Sequence, residues 1–543
     1  MKSSFLTLLR RESGTSGVKI VTVATASGLL QGLVVVIING AAETLSEGGL
    51  NFRYLLLFAV CITGFILAKK YALSRSIDLI QNIIFNIRVK MADKIRRSSL
   101  IHIEGMGKAR IYTTLAENTE TIFEATKRVA NASSAAVMLT FSFGYIWVLS
   151  HIAFFLSVVL ISIGISIYLF TQKKSNRDLR ISMEKETEFF GYLDHLLDGF
   201  KEVKINSERS DDLFENYLKE VSLAARHLRL RTEFRFIDNY VFSQTFFYML
   251  MASIIFLLPQ ISTTEPGVIV NVVAVVLFVI GPLGDIVEAM PLLARADVSV
   301  QTLERLENQL EAADDTRETL PSSRIQRVKA FDHISYNGVS FSYDNNDTAR
   351  QFRLGPLDLS VHSGEVLFLV GGNGSGKSTL LKILTGLYYP QAGQVMLDDV
   401  DVNMTNYAHF RNLFSIIFTD FHLFDRLYGL EEVDEETLRE LLDTMQISDK
   451  TGFAHGRFTN INLSTGQKKR LALIASYLEN KPIFVFDEVA ADQDPEFRRY
   501  FYEVLLKDLK EQGKTIIAAS HDDRYFHVAD RVLKMEFGQF MDM

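Results

Sequence analysis

Apolar residues are concentrated in residues 1–310, where they form six runs long enough to cross a bilayer as helices. The first run, residues 20–38, is not followed by a small-residue cleavage site, and further runs come after it. We therefore interpret it as a retained helix and not as a signal peptide. Only Ser150 and His151 separate the third run from the fourth, which predicts a tight hairpin outside the membrane. The predicted spans are residues 18–40, 54–74, 132–150, 152–172, 238–259 and 268–290.

The distribution of lysine and arginine predicts which side of the membrane each loop faces. The loops after the first and fifth spans, residues 41–52 and 259–267, contain glutamate but no basic residue. The loops after the second and fourth spans contain Arg75, Arg88, Lys90, Lys94, Arg96, Arg97, Lys173, Lys174, Arg177 and Arg180. We therefore expect a multi-pass membrane protein with both termini and the long loops in the cytoplasm.

The two cytoplasmic loops, each of about sixty residues, are mostly polar with helical periodicity. They are too short for a domain with its own core, so they predict membrane helices that continue below the bilayer. An extension of about 25 residues would reach roughly 40 Å. Interruptions at 105–108 and 198–204 mark where short transverse elements could join the helices. Two matched loops favour a docking function over a simple surface loop.

Polar residues in or next to the predicted spans are candidates for a cargo cavity, because polar groups in lipid are costly and usually face an interior space. The candidates are Gln31, Asn39, Gln244, Asp285 and Glu288. Asp285 and Glu288 share one helical face after residues 281–284, whose glycines and proline are expected to loosen the sixth span. The alternative is that these two carboxylates lie below the bilayer in water.

The composition changes after residue 310, where membrane-type sequence gives way to a second domain. Residues 311–330 are acidic and broken by proline, which predicts a linker, and residues 331–543 predict an α/β domain. The net charge of −8 provides no basic footprint for nucleic acid. Cys61 is the single cysteine, so the chain has no disulfide framework and no cysteine-based metal site.

Residues 371–378 fit the phosphate-loop pattern G-x-x-x-x-G-K-[ST] without a mismatch. A buried strand is predicted before them and a helix after them, which is the context that this pattern requires. The glycines let backbone N–H groups point at a phosphate chain, and the helix N-terminus adds its partial positive charge. Lys377 is expected to reach the outer phosphates and the Ser378 hydroxyl to bind Mg²⁺. The sequence therefore predicts a nucleoside triphosphate site.

Three later motifs place polar residues at the ends of predicted elements. Ser464 and Gly466 precede a helical run and form a second anion-binding N-terminus. One buried strand ends in Asp487 and Glu488, and another ends in His521. Ligands bind at the carboxyl ends of strands in parallel sheets. Asp487 therefore suits holding Mg²⁺ through water, and Glu488 suits polarising the attacking water.

The pentapeptide LSTGQ at residues 463–467 resembles the ABC signature LSGGQ, with Thr465 in place of the first glycine. Phosphate loop, signature, FVFDE strand, D-loop (residues 491–494) and switch histidine follow in the order of ABC ATPases. Six spans before one ATPase domain resemble an ABC exporter half-transporter. Residues 413–425 and 456–473 resemble the cyclic-peptide and siderophore-precursor exporters of the pyoverdine, syringomycin and microcin type. The implied fold is a six-helix membrane bundle with long cytoplasmic extensions plus an α/β P-loop NTPase domain of ABC type.

This resemblance implies an ATPase that uses ATP and Mg²⁺, with Glu488 and His521 as catalytic residues. It implies ATP contacts from Tyr343, which matches the aromatic residue that stacks on adenine, and from Gly371, Asn373, Gly374, Ser375, Gly376, Lys377, Ser378, Thr379, Ser464, Gly466, Gln467 and Asp494. One departure is Thr419, which stands where most members have the Q-loop glutamine and is followed by Asp420. Either Asp420 substitutes at Mg²⁺, or the loop only transmits movement.

The resemblance further implies a homodimer, because the signature of one ABC chain faces the phosphate loop of its partner. We expect ATP-driven export of a cyclic or modified peptide or a siderophore precursor across the bacterial inner membrane by alternating access, with membrane lipid around the spans and no nucleic-acid partner. One alternative is a flippase for a lipid or lipid-linked molecule. A second alternative is an ATP-gated sensor or regulator without transport.

Overall fold

The computed structural model describes residues 3–46, 52–262, 265–313, 331–343, 352–430 and 433–541. The chain forms two compact units, one of residues 1–92 with 109–308 and one of residues 93–108 with 309–543. Most of the linker that we expect at 311–330 lies outside the described residues.

The first unit is built from long helices joined by short ones. In chain order the helices are α1 Ser4–Ser46, α2 Phe52–Arg97, α3 Leu100–Met106, α4 Lys108–Leu149, α5 His151–Asp198, α6 Phe200–Ile205, α7 Ser207–Asp212, α8 Glu220–Ala252, α9 Leu258–Ile261 and α10 Pro266–Ala312, of which α3 belongs to the second unit. Two π-helical turns, Leu213–Lys219 and Ser253–Leu257, flank α8.

Within the described residues, five helices are long and apolar enough to cross a membrane, and the apolar stretch His151–Ile167 is a shorter sixth. The five are Gly17–Leu45, Phe52–Arg97, Ile111–Leu149, Gln244–Ile261 and Pro266–Ala312. Together with the shorter stretch they overlap all six predicted spans. α10 continues without a break through Pro282 and Pro291, so the loosening expected at 281–284 does not interrupt the helix.

Close packing and a capped turn hold the membrane helices. A Cβ added to Gly32 would lie 2.3 Å from the Phe141 ring, so α1 and α4 approach each other too closely for a larger residue. The predicted hairpin between α4 and α5 turns at Ser150, whose side chain accepts a hydrogen bond from the Ala153 N–H at 3.3 Å. Beside it the Trp147 ring stacks on the His151 ring with 4.4 Å between centroids.

The strands of the second unit are β1 His333–Ser342, β2 Arg353–His362, β3 Val366–Val370, β4 Ala392–Leu397, β5 Val400–Asp401, β6 Phe414–Ile417, β7 Phe453–Ala454, β8 Arg457–Phe458, β9 Ile483–Asp487, β10 Thr515–Ala519, β11 Arg531–Glu536 and β12 Gln539–Met541. Six of them form a sheet of order β12-β11-β3-β10-β9-β6, which is parallel except for β12, and four form an antiparallel sheet of order β2-β1-β4-β5. Its helices after α10 are α11 Lys377–Leu384, α12 Tyr407–Arg411, α13 Glu435–Thr444, α14 Thr465–Glu479, α15 Pro495–Tyr500 and α16 Leu506–Glu511. β3, β9 and β10 are buried at every residue, as continuous apolar runs in a parallel sheet require.

α3 packs against the core of this second unit, although it lies between two membrane helices in the sequence. Leu100 and Ile101 contact the apolar core between the two sheets. The Glu104 carboxylate accepts hydrogen bonds from the Tyr388 hydroxyl and, at 2.9 Å, from Lys382 Nζ. Burial raises the pKa of Tyr388, and the Glu104 carboxylate raises it further, so this hydroxyl stays protonated and donates. The short helix of the first predicted cytoplasmic loop is therefore part of the second unit by its packing, and a docking function of the two loops stays a prediction.

Candidate functional site

The phosphate loop encloses the ammonium group of Lys377. This side chain is only 5% exposed, and its Nζ donates to the carbonyl oxygens of Gly371 at 2.9 Å and Gly372 at 3.2 Å. Gly376 has a φ of +106°, and a Cβ there would lie 2.7 Å from the Phe352 ring. The loop therefore needs glycine at this point, and it holds its single lysine where a phosphate chain would be cradled.

The carboxyl ends of β9 and β10 bring the predicted catalytic residues to the lysine. The two strands pair in parallel, and the Glu488 N–H donates to the Ala519 carbonyl at 3.2 Å. His521 Nε2 lies 2.6 Å from Glu488 Oε1, and Lys377 Nζ lies 3.5 Å from the same oxygen. The structure thus brings Lys377 and His521, which are far apart in the sequence, to the carboxylate of Glu488.

Glu488 has a backbone conformation that a non-glycine residue rarely adopts, with a φ of +52°. Lys469, whose side chain is 1% exposed, donates from Nζ to the Glu488 carbonyl at 3.0 Å and to Asp492 Oδ2 at 2.6 Å. The Ala491 N–H donates to the same carbonyl at 3.2 Å. Sequence analysis missed Lys469. Its spacing could have indicated that it is buried, because Lys469 lies four residues before the buried Leu473 and therefore on the same, inward-facing side of α14.

Lys469→Met should lower the turnover number for ATP hydrolysis at least about tenfold, because a hydrogen bond from a charged donor contributes about 1.5–3 kcal/mol and here it fixes the Glu488 backbone. The apparent affinity for ATP should change little, since Lys469 contacts no residue of the phosphate loop. Steady-state kinetics of the purified protein separate the two quantities. Lys468→Met is the matched control on the same helix, and an equal loss of turnover in both variants would count against a positioning role.

Asp487 and Ser378 fit the predicted Mg²⁺ site. Asp487 is buried, and its Oδ1 has no hydrogen-bond partner among the described residues, as also holds for Ser375 Oγ. Burial raises the pKa of Asp487, the Ser378 and Thr419 hydroxyls oppose this by hydrogen bonding, and the Glu488 charge raises the pKa further. A hydrated divalent cation would satisfy the free carboxylate oxygen and favour its ionised form.

The Q-loop position contacts the same strand end. Thr419 Oγ1 donates to the Asp487 backbone carbonyl at 3.3 Å. Asp420 is exposed and forms no hydrogen bond or ion pair with the described residues. In this structure Thr419, not Asp420, therefore makes the contact with the metal-site residue.

The signature residues form a reciprocal cap at the start of α14. The Ser464 hydroxyl accepts from the Gln467 N–H at 3.4 Å, and Gln467 Oε1 accepts from the Ser464 N–H at 3.1 Å. A Cβ on Gly466 would lie 2.9 Å from the Asp492 carbonyl oxygen, so the helix start lies directly against the D-loop. The cap forms with Thr465 at the position where the family signature has glycine.

The remaining ATP candidates of the second unit lie in the phosphate loop or beside it, except for Asp494. Tyr343 is half-buried, and its hydroxyl lies 3.1 Å from Thr379 Oγ1 at the start of α11. Asn373, Gly374 and Ser378 are exposed. Asp494 instead caps α15 by accepting from the Phe497 N–H at 2.9 Å, which lowers its pKa, and it pairs with Arg470.

None of the five cargo candidates of the first unit lines the cavity between α4, α5, α8 and α10. That cavity has a volume of about 380 Å³ and is lined by apolar residues such as Phe143, Phe246 and Ile286. Asn39 is buried and donates from Nδ2 to the Asn271 carbonyl at 3.1 Å. Glu288 Oε2 pairs with Arg128 Nη1 at 3.0 Å. Gln31 and Asp285 are half-buried and Gln244 is exposed.

Sequence similarity to a known protein extends over most of the chain. Residues 354–491 match the family described as ABC transporter. The chain is 32% identical over 463 residues to the ATP-binding protein SyrD of Pseudomonas syringae pv. syringae, covering 84% of this chain and 82% of that protein. It is 29% identical over 228 residues to the ATP-dependent lipid A-core flippase of Chromohalobacter salexigens, covering 38% of this chain and 37% of that protein.

A solved structure shares the fold. The structure of a bacterial Atm1-family ABC exporter with ATP bound superposes with a TM-score of 0.75, at 17% sequence identity, over 98% of this chain and 95% of that chain. The predicted fold class, a helical membrane domain with an ABC-type ATPase domain, is confirmed. The membrane helices, the assembled phosphate-loop site and the 463-residue likeness to SyrD agree: the chain belongs to the ABC transporter family and is a membrane-bound half-transporter that couples ATP hydrolysis to transport.

Proposed function

We propose that this half-transporter exports a peptide-like molecule, either a cyclic or modified peptide or a siderophore precursor, across the bacterial inner membrane as a homodimer. The observation that carries the proposal is the 463-residue likeness to SyrD, which is far longer than the ATPase domain and so includes membrane helices. The resemblance of residues 413–425 and 456–473 to peptide and siderophore-precursor exporters supports the same cargo class.

The presence of both sets of ATP-site motifs in one chain supports a homodimer. The capped N-terminus of α14, with Ser464 and Gln467, offers backbone N–H groups to an anion. In ABC proteins this N-terminus faces ATP bound to the phosphate loop of the partner. Because the chain has both halves of the site, two copies would form two complete sites, and both should hydrolyse ATP.

The residues around Glu488 support the following division of labour. The phosphate loop and Lys377 bind the phosphate chain, and His521 orients the Glu488 carboxylate, which accepts a proton from the attacking water. Mg²⁺, held by Ser378 and through water by Asp487, would neutralise charge on the phosphates. ATP binding closes the ATPase units, the docked cytoplasmic helices move the spans, and hydrolysis resets them.

The charges of the membrane unit favour a cargo with a cationic or donor-rich face. Arg128 neutralises Glu288, whereas Asp285 has no side-chain partner among the described residues. A homodimer would bring two Asp285 carboxylates around one axis. Gln31 and Gln244 remain candidates for neutral polar contacts, and the Asn39 amide donates to the Asn271 carbonyl.

A lipid flippase is the second candidate, because one relative is an ATP-dependent lipid A-core flippase. That likeness covers 38% of this chain, about the length of the ATPase domain, so it provides little support for a lipid cargo. A sensor without transport is the third candidate.

Inside-out proteoliposomes containing the purified chain distinguish these functions. We expect ATP-dependent accumulation of members of a mixed library of cyclic and linear peptides, identified by mass spectrometry of the lumen. Glu488→Gln vesicles should accumulate none. Translocation of a fluorescent phosphatidylethanolamine without peptide uptake would establish the flippase, and ATP hydrolysis without either movement would favour the sensor.

A further inference from the structure

We propose that a glycerophospholipid of the cytoplasmic leaflet binds between α1, α2 and α4, with its phosphate beside Lys19 and Arg75 and an acyl chain along α1 and α4. This site lies in the membrane unit, away from the five cargo candidates. It does not depend on the identity of the cargo.

Two adjoining cavities of opposite character form the site. The polar cavity, about 320 Å³ between α1 and α2, is lined by Glu12, Lys19, Tyr71, Arg75, Asp78 and Asn82, among others. The apolar cavity, about 590 Å³, is lined by α1, α2 and α4. Ile20 and Leu79 line both cavities, so the two are neighbours. Together they match a molecule with one polar and one apolar end.

The start of α1 is fixed in place, so Glu12 is held at the polar cavity. Asp297 Oδ1 on α10 accepts hydrogen bonds from the Ser3 hydroxyl at 2.6 Å and from the Phe5 N–H at 2.8 Å. Phe5 is fully buried. α1 then bends at Gly14, which has a φ of +47° and lines the apolar cavity, and a Cβ built there would meet no atom within 4 Å.

The charges that line the polar cavity leave one cation available. Arg75 Nη1 lies 3.2 Å from Asp78 Oδ2, and Glu12 pairs with Arg11 at 3.0 Å. Lys19 is exposed and has no side-chain partner among the described residues. Both acids of the lining are therefore already paired, and the Lys19 ammonium can bind an anion. A phosphate diester suits it, because hydrogen bonds between a cation and phosphate are among the strong ones.

Both cavities lie at the cytoplasmic ends of the predicted spans, at the level where headgroups and acyl chains meet. Lys19 precedes the first apolar run, and Arg75 follows the second predicted span, both on the side that the basic loops assign to the cytoplasm. Headgroups lie at this level, and acyl chains lie next to it. Val21 on α1 lines the apolar cavity inside a predicted span, and Leu79 on α2 and Val129 on α4 line it just outside theirs, on the cytoplasmic side. Free phosphate would fill only the polar cavity and diacylglycerol only the apolar one, whereas a phospholipid fills both.

Native mass spectrometry of the delipidated full-length chain, with defined lipids added back, tests the headgroup contact. We expect retention of phosphatidylethanolamine and phosphatidylglycerol, and no comparable retention of diacylglycerol or inorganic phosphate. Lys19→Gln should weaken retention about tenfold, because it removes one charge-assisted contact. Lys70→Gln, which removes an equal charge from an α2 residue outside the cavity, should leave retention unchanged.

A second pair of variants tests the acyl contact. Ala130→Phe fills the apolar cavity from α4 and should reduce retention, whereas Ala136→Phe on the exposed part of the same helix should not. Equal retention of diacylglycerol, retention of phosphatidylglycerol alone, or equal effects within either pair of variants would overturn the proposal. Retention of phosphatidylethanolamine with both pairs behaving as expected would support it.

Discussion

Replacing Glu488 with glutamine should lower the rate of ATP hydrolysis by about 10²–10⁴-fold, the range over which a general base typically acts. The amide cannot accept the proton of the attacking water. Its size nevertheless fits the same contacts, since the side-chain oxygen can still face His521 Nε2, which lies 2.6 Å from Oε1 in the present structure. ATP binding should therefore persist, because Lys377 and the phosphate loop are unchanged. Phosphate release by the purified protein and equilibrium binding of a fluorescent ATP analogue measure the two properties.

Glu503→Gln is the matched control for this variant, because Glu503 is exposed and lies apart from the strand ends. It should hydrolyse ATP at the rate of the unmodified protein. Near-normal turnover in Glu488→Gln would remove Glu488 from the role of base. Equal loss of ATP binding would instead mean that the side chain acts in assembling the phosphate loop.

Replacing Lys377 with methionine should weaken ATP binding by about 10- to 100-fold, because hydrogen bonds to a charged group contribute about 1.5–3 kcal/mol. In the structure the ammonium group donates hydrogen bonds to the Gly371 and Gly372 carbonyls. When ATP is bound, phosphate oxygens would accept these hydrogen bonds instead. Methionine has a similar length but cannot provide the charge. Hydrolysis at ATP concentrations below saturation should fall at least as far as binding does.

Lys507→Met provides the comparison, because Lys507 is exposed and, among the described residues, pairs with Glu511 alone, at 3.7 Å. Thermal unfolding without nucleotide should be similar in both variants, which would show that any loss of binding does not come from misfolding. Unchanged ATP affinity in Lys377→Met would contradict the assignment of this loop.

Motifs with fixed local geometry were predictable from the sequence. The pattern at 371–378 requires a strand before it and a helix after it, and β3 and α11 provide them. Asp487, Glu488 and His521 could be placed together because strand ends meet at one edge of a parallel sheet. The interruption at 105–108 indicated the end of the short helix α3, since Gly107 has a φ of +78° there.

Contacts that depend on tertiary packing were not predictable. Arg128 and Glu288 are 160 residues apart, and no periodicity indicates that one neutralises the other. Lys469 follows the signature in a basic run that resembles a solvated surface, yet it is buried against the Glu488 carbonyl. The positive φ of Glu488 likewise arises from the surrounding contacts, because glutamate has no intrinsic preference for it.

The position of α3 in the second unit means that the ATPase is not a continuous piece of the polypeptide. Residues 93–108 belong to it, although residues 109–308, which belong to the other unit, separate them from residue 309 in the sequence. A fragment that begins at residue 331 would lack Leu100 and Ile101 and would expose the apolar surface that they cover. It would also leave the Tyr388 hydroxyl without the Glu104 carboxylate. Gene fusions, truncations and limited proteolysis that separate the ATPase at the linker therefore remove apolar side chains that cover its core, and the released fragment would tend to self-associate through the uncovered patch.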